Sequence, residues 1–498
     1  SRITGKGRSK MAHSWQSYQA KGFYDELINE DLTARLTGQA LVDFLKTLNP
    51  TEMDNARHVA DLAVKEMGIT FTVYGEGSSI DRSWPIDIIP RVIQQKEWQQ
   101  VEIGLKQRVK ALNMFINDIY HDQRIVKDGV FPKSLLEQSV NFRKECVGIS
   151  PKNNIWAHIC GSDLVRDGEG VIRVLEDNLR VPSGVSYMLE NRSVMKRVFP
   201  ELFDNINVLP VNDYPSQLFD MLAAMSPRSG DAPEVVVLTP GMYNSAYFEH
   251  CYLAQQMGCE LVEGGDLQVG DDDCVYMKTI RGLRRVDVIY RRVDDLFIDP
   301  EVFNAKSTLG VAGLMRAWRA GNVSLVNAPG AGVADDKVVY SYVPDMIKYY
   351  LAEETLLPNV ETFRCNDPEH FDYVINNIAE LVVKPANESG GYGLLIGPHS
   401  TKAEQAETIR QIKADPRNFI AQPTLNLSTV PTLTPENEVQ GRHVDLRPFI
   451  LSSGDDTYVT TGGLTRVAMT KGSLVVNSSQ GGGSKDTWII ADNQEAAC

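Results

Sequence analysis

The stretch Leu381-Val382-Val383-Lys384-Pro385-Ala386-Asn387-Glu388-Ser389-Gly390-Gly391-Tyr392-Gly393-Leu394-Leu395-Ile396-Gly397 constrains the fold most. A β-branched run ends in a lysine, a Gly-rich loop follows, and a second short apolar run closes it. Gly390, Gly391 and Gly393 lack Cβ, so the backbone there can fold tightly and turn N–H groups toward an anion. Lys384 puts a positive charge beside them. Two common phosphate loops have a different order. A Walker loop carries its lysine after the glycines and opens a helix, and a dinucleotide fingerprint leads from strand into helix. Here the lysine comes first and Leu394 to Ile396 reads as a second strand, so the loop is the tip of a β-hairpin. Such a hairpin suits a lid over nucleotide phosphates. An ordinary Gly-rich turn is the plain alternative.

The chain has 498 residues, enough for about three domains. A formal net charge of −15 argues against nucleic-acid binding through the whole surface, while leaving room for a local basic pocket. No run of 18 apolar residues is present and the N-terminus lacks a signal-peptide core, so neither a membrane span nor export is expected. Residues Ser1 to Lys10, basic and rich in Gly and Ser ahead of Met11, read as a leader outside the fold. The seven cysteines show no CxxC spacing, which points to free thiols in a reducing cytoplasm and to no Cys/His metal site.

Residues 11–145 read as a mostly helical region. Its clearest helix runs from Glu97 to His121, with Val101, Leu105, Val109, Leu112, Ile116 and Ile119 on one face. Residues 231–325 have another rhythm: a buried strand at Val235 to Leu238, a helix from Asn244 to Met257 stopped by Gly258, and a strand at Glu260 to Val262. That βαβ unit predicts a small Rossmann-like layer. The charged run Arg281 to Asp295 reads as an ion-paired strand surface or as part of a substrate pocket. Beyond Ala379 short strands alternate with turns, Thr401 to Ala414 is a helix, and Pro423 to Gly441 reads as a long polar loop.

Three groups of residues carry chemistry. Gly161 to Arg166 and Val171 to Asn178 flank a turn and read as a hairpin. Glu176 and Asn178, two apart on a strand, share a face that Asp163 on the paired strand can meet. Two carboxylates and an amide oxygen suit Mg²⁺, which shares oxygen ligands with nucleotide phosphates; a solvated polar hairpin is the alternative. Lys337 follows the Gly-rich segment Ala328 to Gly332 and could be a second phosphate lysine or a plain surface charge. His443-Val444-Asp445-Leu446-Arg447 and Gly462 to Val467 alternate like half-buried strands. The loop-like segment Asn477 to Trp488, with three glycines, hydroxyls and Lys485, suits an anion.

With these pieces in order, the chain resembles the circularly permuted ATP-grasp family (type 2), the bacterial branch often labelled glutathionylspermidine synthase-like. The resemblance covers about Phe23 to Ile490, and its most specific pieces are Leu175 to Gly184, Lys384 to Gly393 and Asn477 to Trp488. It implies an α+β fold: a circularly permuted ATP-grasp with a Rossmann-like pre-ATP-grasp layer and a helical N-terminal region. Residues 146–230 would form the first ATP-grasp part, 231–325 the pre-ATP-grasp domain and 326–492 the second part.

The resemblance implies ATP and Mg²⁺ as cofactors. Asp163, Glu176 and Asn178 would hold the metal. Lys337, Lys384, Glu388, Ser389, Gly390, Gly391, Tyr392, Gly393 and, at the hinge strand, Gln422 would hold ATP. Arg447 and Arg466 would steady the transferring phosphoryl group, since guanidinium forks match its oxygens. Arg180, Ser183, Ser479, Gln480 and Lys485 are candidates for substrate contacts. The implied activity is cytoplasmic joining of a carboxylate to an amine through an acyl phosphate, with small-molecule or peptide substrates, no nucleic acid and no membrane; homo-oligomerisation stays open. A phosphotransferase and a catalytically silent nucleotide-binding scaffold are the alternatives. No Cys/His amidase domain and no glutathione or polyamine pocket can be matched in this sequence.

Overall fold

The computed structural model describes residues 18, 22–75, 78–83, 85–230, 232–386, 393–469 and 482–492, the side chains of 70–83 excepted. Its centre is a nine-stranded sheet. The main order is Thr457–Val459, Phe449–Ser452, Ile159–Arg166, Val439–Arg447, Leu464–Val467, Gly483–Ile490 and Ile86–Gln94; Ile172–Asn178 pairs onto Ile159–Arg166, and Thr429–Leu433 onto Val439–Arg447. Only the pairing of Gly483–Ile490 with Ile86–Gln94 is parallel in this sheet. Parallel strands need cover on both faces. Ile86–Gln94 accordingly is buried from Asp87 to Ile93, and its next residue starts the 25-residue helix Gln95–Ile119. That helix buries Val101, Leu105, Val109, Leu112, Ile116 and Ile119, the face its spacing predicts.

The region 11–145 is therefore not simply helical. It carries the hairpin Thr70–Gly75 with Ser78–Ser83, and its strand Ile86–Gln94 completes a sheet whose other strands come from beyond residue 158. Two further expectations change. Thr429–Leu433 is a buried strand inside the expected loop 423–441: alternating β-formers outweigh Pro431, on a strand laddered to Val439–Arg447 along one side and bridged on the other through Thr429 to Asp25. Residues 483–490 likewise form a strand instead of a loop, paired with Leu464–Val467 over 483–485 and with Ile86–Gln94 on its other side, where the register shifts between Lys485 and Thr487.

A second sheet is wholly parallel, in the order Ser324–Val326, Val288–Arg291, Val235–Leu238, Glu260–Val262. The helix Tyr247–Met257 makes the crossover and ends at Gly258, whose φ of +71° suits a residue without Cβ. This is the Rossmann-like layer predicted from the βαβ rhythm. The third sheet is small and antiparallel, ordered Phe363–Arg364, Phe419–Pro423, Leu381–Pro385, Leu395–Ile396. The helices Pro368–Asn377 and Lys402–Ala414 back it, and Val374, Leu381, Val383, Ile412, Phe419 and Ala421 form its own core. The predicted hairpin is present, with Val382 opposite Ile396. Its tip, residues 387–392, lies outside the described residues.

Candidate active site

The carboxylates come first. Ile159–Arg166 and Ile172–Asn178 pair antiparallel and set Asp163 directly opposite Glu176, with a register shift between Asp163 and Leu164. Asn178 lies opposite Gly161, and its Nδ2 donates to the Gly161 carbonyl at 2.9 Å. The next strands bring the arginines. Asp445 on Val439–Arg447 faces Arg466 on Leu464–Val467. Arg447 Nε and Nη2 donate to the two oxygens of Asp163 at 2.7 and 3.1 Å, and its Nη1 donates to the Ser183 carbonyl at 3.1 Å. Arg466 Nε and Nη2 donate to Asp445 at 2.8 and 2.5 Å, and Nη2 also stands 3.1 Å from Asp163 Oδ2.

The lysines come from other elements. Lys337 opens the short helix Lys337–Tyr340, where Asp336 caps the chain by accepting from Val338 N at 2.7 Å. Lys384 sits on Leu381–Pro385, opposite Ile420. Both ammonium groups act on Glu176, so the two lysines converge on the carboxylate hairpin. Glu176, Lys384, Arg447 and Arg466 are all half-buried, and on Val439–Arg447 and Leu464–Val467 most neighbouring residues are buried.

The charges are uneven. Burial alone would raise Asp163, but Arg447 and Arg466 hold it well below the usual carboxylate range. Burial pushes Glu176 up to about 7; the charge of Asp163 and a hydrogen bond with it add to the rise, while Lys337 and Lys384 oppose it. Burial, with the charge of Lys337, brings Lys384 down to about 8 against the pull of Glu176 and Asp163. The site is thus a cluster of opposed charges in which Asp163 is held well below, and Glu176 raised above, the usual carboxylate range.

A divalent cation fits part of this donor set. Glu176 and the Asn178 amide are oxygen donors on one face of their strand, and a cation would offset the burial and the charge of Asp163 that raise Glu176. Asp163 already accepts from Arg447 and pairs with Arg466, so it reaches a cation only by sharing or exchanging those contacts. Among the described residues no group of three His, Cys, Asp or Glu is placed to hold a metal, so phosphate oxygens and water would complete the shell.

The remaining candidates separate. Gly393 has φ +74° at the end of the loop. Glu388, Ser389, Gly390, Gly391, Tyr392, Ser479 and Gln480 lie outside the described residues. Gln422 is buried on Phe419–Pro423 and donates to Thr362 Oγ1 at 3.1 Å, so its amide nitrogen is engaged within the protein. Arg180 Nε donates to Asp335 Oδ2 at 2.9 Å, and its stem lies so close to Gly332 that a Cβ there would come within 2.6 Å of it. Lys485 does not fit a substrate role. It is 1% exposed on Gly483–Ile490, pairs with Asp87 and donates to the Ile89 and Pro431 carbonyls at 2.9 and 3.0 Å. Alternation along a strand, not a flexible loop, decides where it points.

Sequence reasoning missed a buried brace. Glu249, on the helix Tyr247–Met257, accepts from Gly184 N, Ser186 N and Ser186 Oγ, each at 2.9 Å, and pairs with Arg292 at 2.7 Å. Arg292 also donates to the Pro182 carbonyl at 3.1 Å. The parallel sheet thereby fixes the segment that gives Ser183 O to Arg447. The charged run that contains Arg292 resolves into ion pairs: Arg284–Glu234, Arg291–Asp295, Arg292–Glu249 and Arg228–Asp287. The spacing within Arg281 to Asp295 signals charge, but no local pattern names Glu249, which lies 43 residues from Arg292.

Residues 90–468 match the family described as circularly permuted ATP-grasp type 2. The chain belongs to that family. This permuted ATP-grasp protein is 57% identical to an uncharacterised protein of Synechocystis sp. over 95% of its own length and 98% of the relative's. A protein of Frankia alni with the provisional name glutamate–cysteine ligase 2-3 is 44% identical, over 95% of this chain but only 54% of that protein. The fold also matches a glutathione synthetase-like effector from Globodera pallida in its apo form. The TM-score is 0.58 at 13% identity, covering 88% of this chain and 97% of that one. The ATP-grasp assignment and the α+β fold expected from the motifs thus hold. Among the described residues no helix is long and apolar enough to cross a membrane.

Proposed function

We propose that this ATP-grasp protein is an ATP- and Mg²⁺-dependent carboxylate–amine ligase that works through an acyl phosphate. One observation carries the reading: Lys337 and Lys384, from separate elements, converge on the Asp163–Glu176 pair, which Arg447 and Arg466 back from the next strands. Phosphoryl transfer needs positioning and charge stabilisation more than covalent help from the protein, and this set supplies both. The provisional name of the Frankia relative supports ligation in general. That name belongs to a protein of which this chain spans about half, so it supplies no substrate.

Lys337 and Lys384 would bind the phosphate oxygens. Glu176 and Asn178 would hold Mg²⁺, which when bound neutralises phosphate charge. A substrate carboxylate oxygen attacks the γ-phosphorus as the bond to ADP breaks, and Arg447 and Arg466 meet the charge on the transferring group. The amine nitrogen then attacks the acyl carbon, the C–O bond to phosphate breaks, and the amine's proton leaves to solvent. Arg180, two residues past Asn178, would take an anionic part of the substrate with the guanidinium nitrogens that Asp335 does not hold.

Product analysis tests this reading. The protein is incubated with ATP, Mg²⁺ and a pool of amino acids, peptides and amines. An amide plus ADP and phosphate is the expected result. A lasting phosphorylated product would show a phosphotransferase, and nucleotide binding without turnover would show a scaffold.

A further inference from the structure

We infer that Asp336 and Arg417 are positioning residues that set Lys337 in register with Lys384, an inference that rests on the nucleotide site proposed above. The two lysines sit on different elements. Lys337 follows Ala331–Asp335, whose Ala331, Val333 and Ala334 belong to the large central core, whereas Lys384 belongs to the small antiparallel sheet with its own core. A long flexible ammonium stem carries little positional information of its own. What aligns the two must therefore lie in the contacts between their carriers.

Those contacts form a short chain. Arg417, just ahead of Phe419–Pro423, donates from Nη2 to Asp336 Oδ2 at 2.7 Å and from Nη1 to Oδ1 at 3.3 Å. Its Nη2 also donates to the Leu135 carbonyl at 3.0 Å, which anchors the pair to the N-terminal helices. Both side chains are buried, Asp336 completely. Main-chain bonds run parallel to the ion pair. Asn418 O accepts from Ala386 N at 2.7 Å, and Ala386 O accepts from Lys337 N at 2.9 Å. Ala386 is two residues beyond Lys384, and Asp336 is one before Lys337. One buried carboxylate thus starts the helix that carries the first lysine and grips the small sheet that carries the second.

A fork-shaped, two-point contact fixes orientation as well as distance, which a point charge does not. Removing it while keeping the helix cap should leave both lysines present but misaligned. Asp336→Asn does this, because Asn is as good an N-cap as Asp but cannot form the ion pair. Arg417→Lys is the second variant; it keeps the charge and loses the fork.

The test is a double-mutant cycle on the full chain, read by calorimetry with a non-hydrolysable ATP analogue and Mg²⁺. Asp336→Asn should weaken binding by about tenfold, and the same change in a Lys337→Ala background should shift it by less than about twofold. Hydrogen exchange at the Lys337 and Ala386 amides should quicken in the variant while the nine-stranded sheet stays protected. Equal losses in both backgrounds would mean that Asp336 acts on general stability, and unchanged affinity in the single variant would mean that it positions nothing; either result overturns the inference. Failure of the wild-type protein to bind the analogue would instead overturn the nucleotide-site reading on which it rests.

Discussion

Asp163 and Glu176 face each other across paired strands, and their proton affinities are pushed in opposite directions. Arg447 and Arg466 hold Asp163 well below the usual carboxylate range, while burial and the charge of Asp163 push Glu176 up to about 7. Two carboxylates at one site rarely ionise together without a cation. On the proposed reading, a divalent cation arriving with the nucleotide would displace the proton from Glu176.

Binding of Mg²⁺ with nucleotide should therefore release a proton. Glu176 titrates above its ordinary value of 4.5, so the stability it contributes is full below that value and is lost as pH rises through about 7. Mg²⁺–nucleotide binding should strengthen over the same rise. Calorimetry in buffers of different ionisation enthalpy should count close to one proton released below pH about 7. In Glu176→Gln that proton should disappear together with the pH dependence.

Loss of either lysine should weaken nucleotide binding. Charged hydrogen bonds are worth roughly 1.5–3 kcal/mol, so Lys337→Ala and Lys384→Ala should each raise Kd by about 10- to 100-fold. Lys384 also predicts a second limb. Its ammonium gives up a proton as pH rises through about 8, so affinity should fall above that point in the wild type and not in Lys384→Ala. Titration calorimetry from pH 6 to pH 9.5 would check both.

The arginines should serve stability and chemistry together. Arg466 pairs with two buried acids, and removing one partner of a buried ion pair typically costs about 3–5 kcal/mol. Arg466→Ala should melt early, and Asp445→Asn in that background should recover part of the loss. Arg447→Ala should cost less stability, since Asp163 keeps Arg466. If Arg447 meets the transferring group, its loss should slow turnover by about 10²–10³-fold while leaving ATP affinity near wild type. Thermal melts with single-turnover rates separate the two effects.

Lys485 should behave as a structural residue. Lys485→Met leaves Asp87 buried without its partner and should cost about 3–5 kcal/mol, with nucleotide affinity unchanged once the protein is folded. Asp87→Leu in the same background should restore stability. Melting curves beside nucleotide calorimetry would check it.

Much of this arrangement is legible in the chain. The period-two spacing of Glu176 and Asn178, the run into Lys384 and the return at Leu395 encode the carboxylate hairpin and the lysine hairpin, because strand geometry is local. The helix Gln95–Ile119 is equally plain from its apolar stripe. What the sequence hides is pairing at long range. Asp163 meets Arg447 over 284 residues, and Lys485 meets Asp87 over 398. Lys485, which reads as an anion-binding lysine in a glycine-rich loop, is buried because Ile86–Gln94 lies beside it. Asp445 shows the middle case. Alternation puts it on the face of Arg447, but only the register with Leu464–Val467 makes it the partner of Arg466.

Oxygen transfer tests the central claim most directly. A carboxylate substrate labelled with ¹⁸O in both oxygens is turned over with Mg²⁺-ATP and an amine, and the released phosphate is weighed by mass spectrometry. An acyl phosphate formed at this site must carry one ¹⁸O from each activated carboxylate into phosphate, and Lys384→Ala should lose amide and label together. Amide formation with unlabelled phosphate would contradict the mechanism and, with it, the role given to Lys337, Lys384, Arg447 and Arg466.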